Sequence, residues 1–290
     1  PESTAKLIRL LRVPVIVLRI HGNFITQPQW NKIDKGNHIE AEMEQIITAK
    51  ECKKLTVAEI DARVKEAFQY DDFKWQYENK IHIDHPKRAE GLHALLYKCP
   101  ACQTEGEMHS KGIKLWCEHC GKEWEMDEYG RMHALIGDTE FHHIPDWSNW
   151  ERECVRKEIE EGTYYFEDTA RIETLPGSLK FYYQGEGKVI QTPTETRIEC
   201  NYHGEPYVLT RSSMDLESMH IEYDYLGRGD CIDVSIPNDS FWCYLTKRDV
   251  ITKISFATEE MHLLAVRKAA EEKAAAEKAK EALKETEKSE

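Results

Sequence analysis

The sequence has no long apolar run and no excess of basic charge. The longest apolar run covers residues 13–18, far short of the roughly 20 residues that cross a bilayer. This argues against a transmembrane helix. The formal net charge is −14, which argues against broad nucleic-acid binding through a basic surface. We therefore expect no nucleic-acid partner.

Cysteine is also scarce, yet four of the nine cysteines fall within one short segment. Cys99-Pro-Ala-Cys102 and Cys117-Glu-His-Cys120 form two CxxC pairs separated by fourteen residues. Such pairs at the tips of two short hairpins bring four thiolates to the corners of a tetrahedron, which Zn²⁺ prefers. The spacing predicts a zinc ribbon, with two disulfides or reduced structural thiols as the alternatives.

The turn residues around these pairs agree with a ribbon. Gly121 follows the second knuckle, where backbone N–H groups turn toward the sulfurs, and Lys111-Gly112 is placed to form the turn between two short strands. Four soft ligands close the coordination shell, whereas a catalytic zinc keeps one open position. The predicted cofactor is therefore a structural Zn²⁺. His119 is left without a vacant ligand position, and His109 is predicted to be a solvated loop histidine.

The first third of the chain predicts part of an α/β domain. Residues 4–11 have leucines at helical spacing, and Val13–Gly22 is a continuous β-branched run, typical of a strand buried on both faces of a parallel sheet. Residues 39–44 alternate between apolar residues and glutamates, which suits a half-buried strand. Thr56-Val-Ala-Glu59 is a capping box with Leu55 and Ile60 at the staple positions. The chain opens without methionine, so we expect a piece of a longer protein.

These residues resemble the glycerolipid (lysophospholipid/1-acylglycerol-3-phosphate) acyltransferases. The run from Leu10 to Gly22 is similar to the family's fourth conserved block, a hydrophobic strand entered through a proline, here Pro14. The order of this strand, a Lys87–Leu92 segment, a zinc ribbon ending in Trp124–Gly130 and a β-rich tail is similar to a bacterial, clostridial-type branch. The resemblance covers most of residues 1–260.

The resemblance implies an acyl-transfer chemistry whose machinery this chain lacks. In the family, a histidine–aspartate pair in an H-x4-D motif takes the proton from the lysophospholipid hydroxyl, which attacks the acyl thioester. A later Phe-Pro-Glu-Gly-like block holds the phosphate. Both lie upstream of block four. His133-Ala-Leu-Ile-Gly-Asp138 matches H-x4-D, but it follows the ribbon and is interpreted as a chance match.

Arg19 and His21 are the candidate substrate-binding residues, because ligands gather beyond the carboxyl ends of parallel strands. The cationic side chains there would face the phosphate of the acceptor lipid. Residues 1–35 hold six Lys/Arg against two Asp/Glu, which suits an anionic membrane surface. The alternative is that Arg19 is a surface charge and His21 a hydrogen-bonded residue at the strand end.

After the ribbon, Ser148-Asn-Trp-Glu151 is a second capping box and predicts a helix that ends at Gly162. Short strands separated by Gly, Pro and Asn then predict a small antiparallel sandwich or barrel. A pleckstrin-homology-like shape closed by a helix at residues 259–265 is the expected form. The predicted strands are Ser178–Tyr183, Glu195–Asn201, Met219–Tyr225, Cys231–Ile236 and Ser240–Leu245. Five aromatic residues are predicted to form core and cross-strand pairs: Tyr182, Tyr223, Tyr225, Phe241 and Trp242.

Together these patterns predict an α+β multidomain protein. Its parts are the end of an acyltransferase α/β domain (1–85), a zinc ribbon (86–137), a β-rich domain with a leading helix (138–265) and a charged helical or disordered tail (266–290).

The expected function is that of the C-terminal portion of a lysophospholipid acyltransferase-like protein of phospholipid biosynthesis. Its expected partners are a lysophospholipid and an acyl thioester in the full-length protein, together with a membrane surface. The alternative is a non-catalytic zinc-ribbon protein whose β domain binds a protein or lipid. Four cysteines on metal and five scattered ones fit a reducing, cytoplasmic setting, at the inner face of the cell membrane.

Overall fold

A computed structural model describes residues 2–288 of the chain, and the side chains of residues 4–278. The chain divides into two compact units. Unit 1 comprises Pro1–Glu90, Ser110–Leu115 and Glu123–Asp146, and unit 2 comprises Gly91–His109, Trp116–Lys122 and Trp147–Glu290. The architecture is mixed helix and sheet, which confirms the α+β part of the predicted fold class. The predicted domain bounds and the acyltransferase origin of the first segment stay predictions.

Unit 1 begins with short helices around a two-stranded sheet. Its first elements are α1 (Glu2–Leu11), β1 (Val15–His21), α2 (Asn23–Thr26), β2 (Glu40–Ile47), α3 (Ala49–Cys52), α4 (Val57–Ala67) and α5 (Asp72–Glu78). Ala5 of α1, Ile47 of β2 and Ile60 and Val64 of α4 form its buried core, with Leu55 packed against it. Leu55 and Ile60, the predicted staple positions, thus belong to the same packed cluster.

The prediction of a strand buried on both faces of a parallel sheet is wrong. β1 pairs antiparallel with β2, with Leu18 opposite Met43 and Arg19 opposite Glu42. Side chains alternate between the two faces of a strand, and only one face of β1 is packed. Ile16, Leu18 and Ile20 are 60%, 57% and 46% exposed, whereas Val17 is buried. The half-buried character predicted for β2 also fails, because its residues 40–45 are exposed.

Helix α1 is present as predicted, but a different face packs. Ala5 is buried and Ile8 packs beside it, whereas Leu7, Leu10 and Leu11 are all more than half exposed. The small Ala5 side chain lets α1 approach α4 closely, which the leucine pattern did not reveal.

The capping box that begins α4 is confirmed. The Thr56 hydroxyl accepts the Glu59 N–H at 3.2 Å, and the Glu59 carboxylate accepts the Thr56 N–H at 2.7 Å.

Another turn is fixed by Gly22, which has a φ of +80° and where a Cβ would lie 2.4 Å from the carbonyl oxygen of His38. Only glycine fits there, and its N–H donates to the buried Asp72 at 2.6 Å.

The ribbon consists of four short strands in the order β3-β4-β5-β6. They are β3 (Met108–Lys111), β4 (Lys114–Cys117), β5 (Glu123–Met126) and β6 (Met132–Ala134), and a short helix α6 (Leu92–Leu95) precedes them. The predicted turn at Lys111-Gly112 lies between β3 and β4, and Gly112 has a φ of +66°. This turn therefore needs the left-handed conformation that glycine adopts at little cost.

Helix α7 spans Ile144–Glu160, so the prediction that Ser148 caps its start is wrong. The helix begins four residues earlier, with Pro145 in its first turn, where the missing N–H of proline has no intrahelical partner to lose. Ser148 is an interior helix residue, and Glu151 is completely buried. The predicted end is confirmed, since Gly162 follows the last turn with a φ of +72°.

The rest of unit 2 is an antiparallel half-barrel followed by a long helix. Seven strands lie in the order β10-β9-β8-β7-β13-β12-β11. They are β7 (Phe166–Thr174), β8 (Tyr182–Thr192), β9 (Glu195–Tyr202), β10 (Glu205–Ser212), β11 (His220–Glu222), β12 (Cys231–Ile236) and β13 (Asp239–Leu245). The sequence interpretation missed β7 and β10, and the predicted strand at Ser178–Tyr183 contains a 3₁₀ turn at Pro176–Ser178. The pleckstrin-homology-like shape stays a prediction.

Most of the predicted aromatic pairs belong to the core of this half-barrel. Phe241, Tyr223 and Trp242 are buried, and Tyr225 stacks on Trp242 with ring centroids 4.7 Å apart. Tyr182 is the exception, because it is half exposed at the start of its strand.

The C-terminal helix α8 runs from Ile251 to Lys288. Its first turns pack Ala257 and Met261 against Val155 and Ile159 of α7, and residues 266–278 are exposed. The predicted solvated helix at the C-terminus is confirmed as far as the described side chains reach. None of the helices within residues 2–288 combines the length and hydrophobicity of a membrane-spanning segment.

Candidate metal centre

The four cysteines of the two CxxC pairs converge on one point within unit 2. All four Sγ atoms lie within 4.8 Å of one another. Cys99 Sγ is 3.7 Å from Cys120 Sγ, and Cys102 Sγ is 3.7 Å from Cys117 Sγ. Thiolates bound tetrahedrally to zinc at 2.3 Å are separated by about 3.8 Å. The sulfur positions therefore fit a four-coordinate zinc ion.

The alternative of two disulfides is not what the structure shows. All nine cysteines are free thiols, and the closest sulfur pairs of the cluster are far beyond the disulfide bond length of about 2.05 Å. Each close pair also joins one knuckle to the other, as a shared metal requires. The four cysteines are compatible with a structural metal site, as the spacing predicted.

The two knuckles repeat the same backbone conformation. The N–H of Gln103 donates to the Cys99 carbonyl at 2.8 Å, and the N–H of Gly121 donates to the Cys117 carbonyl at 2.9 Å. Both residues occupy the fourth position after the first cysteine and have positive φ angles, +63° and +72°. The left-handed turn expected at Gly121 is thus present in both knuckles, and Gln103 adopts it without being glycine.

These turns point backbone N–H groups at the sulfurs. The first cysteine of each pair, Cys99 or Cys117, accepts N–H groups from the second and third residues after it. Burial nevertheless raises the pKa of both thiols. A coordinated metal cation deprotonates a thiol outright, and the N–H groups would then stabilise the thiolates.

Cys102 is in a more polar position. Burial opposes ionisation of its thiol, but hydrogen bonds from Thr104 and His119 outweigh burial and lower its pKa to about 6. That the cysteines leave His119 no ligand position stays a prediction. A shell of four sulfurs has no open coordination position for a substrate, so the centre is suited to a structural role.

Helix α7 holds the segment that leads into the first knuckle. The Lys98 N–H donates to the Glu151 carboxylate at 2.8 Å, and the Trp147 indole N–H donates to the Lys98 carbonyl at 3.0 Å. Glu151 and Trp147 are both completely buried. Sequence reasoning missed both contacts, because it assigned Glu151 to a helix cap. The full burial of a glutamate has no signal in the sequence pattern.

A partly buried ion-pair network extends from the same segment. Lys98 Nζ lies 3.0 Å from Glu105 Oε1, and Lys253 Nζ of α8 lies 2.8 Å from both Glu105 Oε2 and Glu158 Oε2. Buried charges are costly unless they are paired, and here each lysine faces carboxylates. The network links the first knuckle to α7 and α8 within unit 2.

The candidate substrate residues Arg19 and His21 lie on the packed face of β1. The Arg19 guanidinium is 2.6 Å from Glu44 and 3.4 Å from Glu42. The hydrogen bond that Arg19 donates to Glu44 is the main cause that raises the pKa of Arg19. A phosphate would have to compete with these two carboxylates for the guanidinium. The substrate role of Arg19 stays a prediction.

His21 belongs to a hydrogen-bonded cluster at the end of β1. Its Nδ1 lies 2.9 Å from the Tyr70 hydroxyl, which donates to Asp72 at 2.5 Å. The His21 ring also stacks on Trp75, with centroids 5.4 Å apart. This is the hydrogen-bonded strand-end environment that was the alternative interpretation of His21, and its substrate role also stays a prediction. The antiparallel β1–β2 pair removes the parallel-strand argument that pointed to both residues.

His133, the histidine of the H-x4-D match, pairs with an aspartate outside that motif. His133 Nε2 lies 2.8 Å from Asp127 Oδ2 rather than acting with Asp138 as a motif pair. The other Asp127 oxygen accepts the N–H groups of Tyr129 and Arg131 at 2.9 Å each. Asp127 therefore organises the turn between β5 and β6, with His133 as one of its partners.

Comparison with protein-family models and with curated protein sequences gives no match to this chain.

Proposed function

We propose that this chain is the C-terminal portion of a lysophospholipid (1-acylglycerol-3-phosphate) acyltransferase-like protein of phospholipid biosynthesis, with a structural zinc in its ribbon. The support begins with the order of the elements. A strand entered through Pro14 is followed by a second strand, a capped helix, a four-cysteine cluster and an antiparallel β region. This is the order on which the resemblance to the acyltransferases depends.

The open apolar face of the β1–β2 sheet carries the proposal. Ile16, Leu18 and Ile20 of β1 share this face with Met43 of β2, which is 77% exposed. Among the described residues β1 is hydrogen-bonded to one neighbour only. A free strand edge beside exposed apolar side chains is a site for pairing and covering by further structure. In the proposed protein, strands and helices of the acyltransferase core cover it.

Helix α1 supports a membrane surface as a partner. Leu7, Leu10 and Leu11 are 52%, 75% and 56% exposed, and Arg9 lies in the last turn of the same helix. Exposed leucines beside basic side chains are typical of helices that lie in the interface of an anionic membrane. The proposed location is therefore the cytoplasmic face of the cell membrane.

The chemistry of the proposed enzyme lies outside this chain. Acyl transfer needs a general base within hydrogen-bond reach of the acceptor hydroxyl, and the H-x4-D histidine of the family has no counterpart before β1 in this sequence. Zinc would hold the ribbon through Cys99, Cys102, Cys117 and Cys120. Arg19 and His21 are proposed to face the phosphate of the acceptor once the acyltransferase core is in place.

The test begins with the coding sequence upstream of Pro1. An H-x4-D motif followed by a Pro-Glu block is expected there, and the full-length product should transfer an acyl group from a thioester to lysophosphatidic acid. The isolated chain should give only background turnover. A start codon at Pro1 would instead favour the non-catalytic zinc-ribbon protein whose β domain binds a partner.

Two variants sharpen this test. In the full-length enzyme, Arg19→Ala should raise the KM for the phosphate-bearing acceptor more than the KM for the acyl donor. Equal effects on both would reduce Arg19 to a scaffold residue. Turnover by the isolated chain that disappears in His133→Ala would overturn the proposal, because it would place the chemistry at the His133–Asp127 pair.

A further inference from the structure

A second group of metal-ligand side chains lies beside the second knuckle of the ribbon. Ligand atoms of Glu107, His109 and Glu118 lie within 4.8 Å of one another. His109 Nε2 is 3.6 Å from Glu118 Oε2, close to the separation of about 3.4 Å between two ligands held tetrahedrally at 2.1 Å from zinc. We propose that these three residues form a second divalent metal site, separate from the four-cysteine centre.

Main-chain pairing fixes the two carboxylates relative to each other. The N–H of Glu118 donates to the carbonyl oxygen of Glu107 at 2.8 Å. Glu118 also lies inside the second knuckle, between Cys117 and Cys120, so the knuckle turn determines where its side chain begins. The second site therefore depends on a folded knuckle, and we expect the four-cysteine centre to fill first.

The imidazole is held by neighbouring rings. His109 stacks with Trp116, with centroids 6.0 Å apart and an interplanar angle of 29°. It also stacks with His93, with centroids 6.1 Å apart and an angle of 24°. Stacking restricts rotation of the His109 ring, so that Nε2 stays near the two carboxylates. A fixed imidazole loses little conformational entropy when it binds a cation.

The surrounding charge favours a cation. Glu107 and Glu118 place two carboxylates beside the His109 imidazole. A third carboxylate, that of Asp249, lies 3.8 Å from Nε2 of His93, whose ring stacks with His109. The negative charge of these groups attracts a cation.

The ligand chemistry differs from that of the four-cysteine centre. One imidazole and two carboxylates are harder ligands than four thiolates, and they suit Zn²⁺, Co²⁺ or Mn²⁺ rather than a soft monovalent ion. Three protein ligands also leave coordination positions for water. The second site is therefore expected to exchange its metal more readily than the closed thiolate shell.

The test counts zinc in the full chain at equilibrium with micromolar free Zn²⁺. The unmodified protein should hold two equivalents, one of which a chelator removes readily. His109→Ala should hold one equivalent and keep the thiolate-to-cobalt absorption of the four-cysteine centre after exchange with Co²⁺, which shows that the ribbon is folded. The matched control is His38→Ala, because His38 is an exposed histidine with a single carboxylate neighbour, Glu40, at 2.7 Å. This variant should still hold two equivalents.

A conservative variant tests the geometry. Glu118→Gln should weaken the second zinc at least tenfold, about the smallest loss that changes around metal ligands cause, without altering the thiolate-to-cobalt absorption. A single equivalent in the unmodified protein would overturn the proposal. So would equal losses in His109→Ala and His38→Ala, or an unchanged second affinity in Glu118→Gln.

Discussion

The four-cysteine cluster and the β1–β2 sheet differ in how far their side chains are buried. Cys99 and Cys117 are completely buried, although the strands around them are only four residues long. Ile16, Leu18 and Ile20 lie in a longer strand that is rich in apolar residues, yet each is about half exposed or more. From polarity alone, we would expect the apolar residues of β1 to be more deeply buried than the cysteines.

The difference lies in what completes each structure. Two knuckles complete the four-cysteine cluster, and all four cysteines come from 22 consecutive positions, 99–120, of this chain. A sheet face is complete only when another layer covers it, and the described residues supply that layer on one side of β1. A local motif is therefore complete within one short segment, whereas an apolar strand face needs residues that are distant in the sequence to cover it.

The largest effect is expected from removing the ribbon's ligands. The double variant Cys99→Ser with Cys117→Ser should lose the tightly bound zinc and unfold the ribbon, because structural zinc contributes about 10–16 kcal/mol in small zinc domains. Elemental analysis of the protein after gel filtration checks this. Cys200→Ser, which changes a thiol outside the cluster, is the control. If the double variant retained its zinc, the four cysteines would not be the metal site.

A pair of substitutions within β2 tests the other half of the comparison. Ile47 is completely buried and Met43 is 77% exposed. Ile47→Ala should lower the free energy of unfolding by about 2–5 kcal/mol, whereas Met43→Ala should change it by less than about 0.5 kcal/mol. Urea unfolding followed by circular dichroism measures both. A comparable loss in Met43→Ala would mean that the open face is covered in solution.

Glu151 connects the ribbon to α7 and should make stability depend on pH. Burial raises its pKa well above 4.5, and the charge of Glu105 adds to the shift. The folded state then holds a proton that the unfolded state releases, so this stability is present below pH 4.5 and is lost as the pH rises through the folded pKa.

Glu151→Gln keeps the acceptor for the Lys98 N–H and cannot ionise. Its melting temperature should fall less than that of the unmodified protein as the pH rises above 4.5. Parallel pH profiles of the two proteins would show that Glu151 is ionised in the folded state. Glu158→Gln is the comparison variant, because that carboxylate is paired with Lys253.

The smallest effect separates two S/T-x-x-E motifs that look alike. Thr56→Ala removes a hydrogen-bonded cap and should cost about 1 kcal/mol. Ser148→Ala changes an interior position of α7, where alanine has the higher helix propensity, and should be neutral or slightly stabilising. Thermal unfolding of both variants distinguishes them. A loss of about 1 kcal/mol in Ser148→Ala would restore Ser148 as a cap.

These two motifs also show how far the sequence could be interpreted. Thr56 follows a turn and Ser148 follows an earlier helical turn, and the four-residue pattern is the same in both. Pro145 was the available signal, because proline favours the first turn of a helix. For α1, the leucine spacing predicted the helix correctly and its packed face incorrectly, since the small Ala5 made the close contact.

The sequence by itself determined the features that depend on short-range geometry. The CxxC spacing and the turns at Gly112 and Gly121 specify the ribbon, because ligand positions and φ preferences are local properties. The tertiary structure alone decided that β1 is antiparallel, that Glu151 is buried against Lys98, and that Glu107, His109 and Glu118 converge. Each of these depends on contacts between residues that are not neighbours in the sequence, and the energies of such contacts leave no periodic trace along the chain.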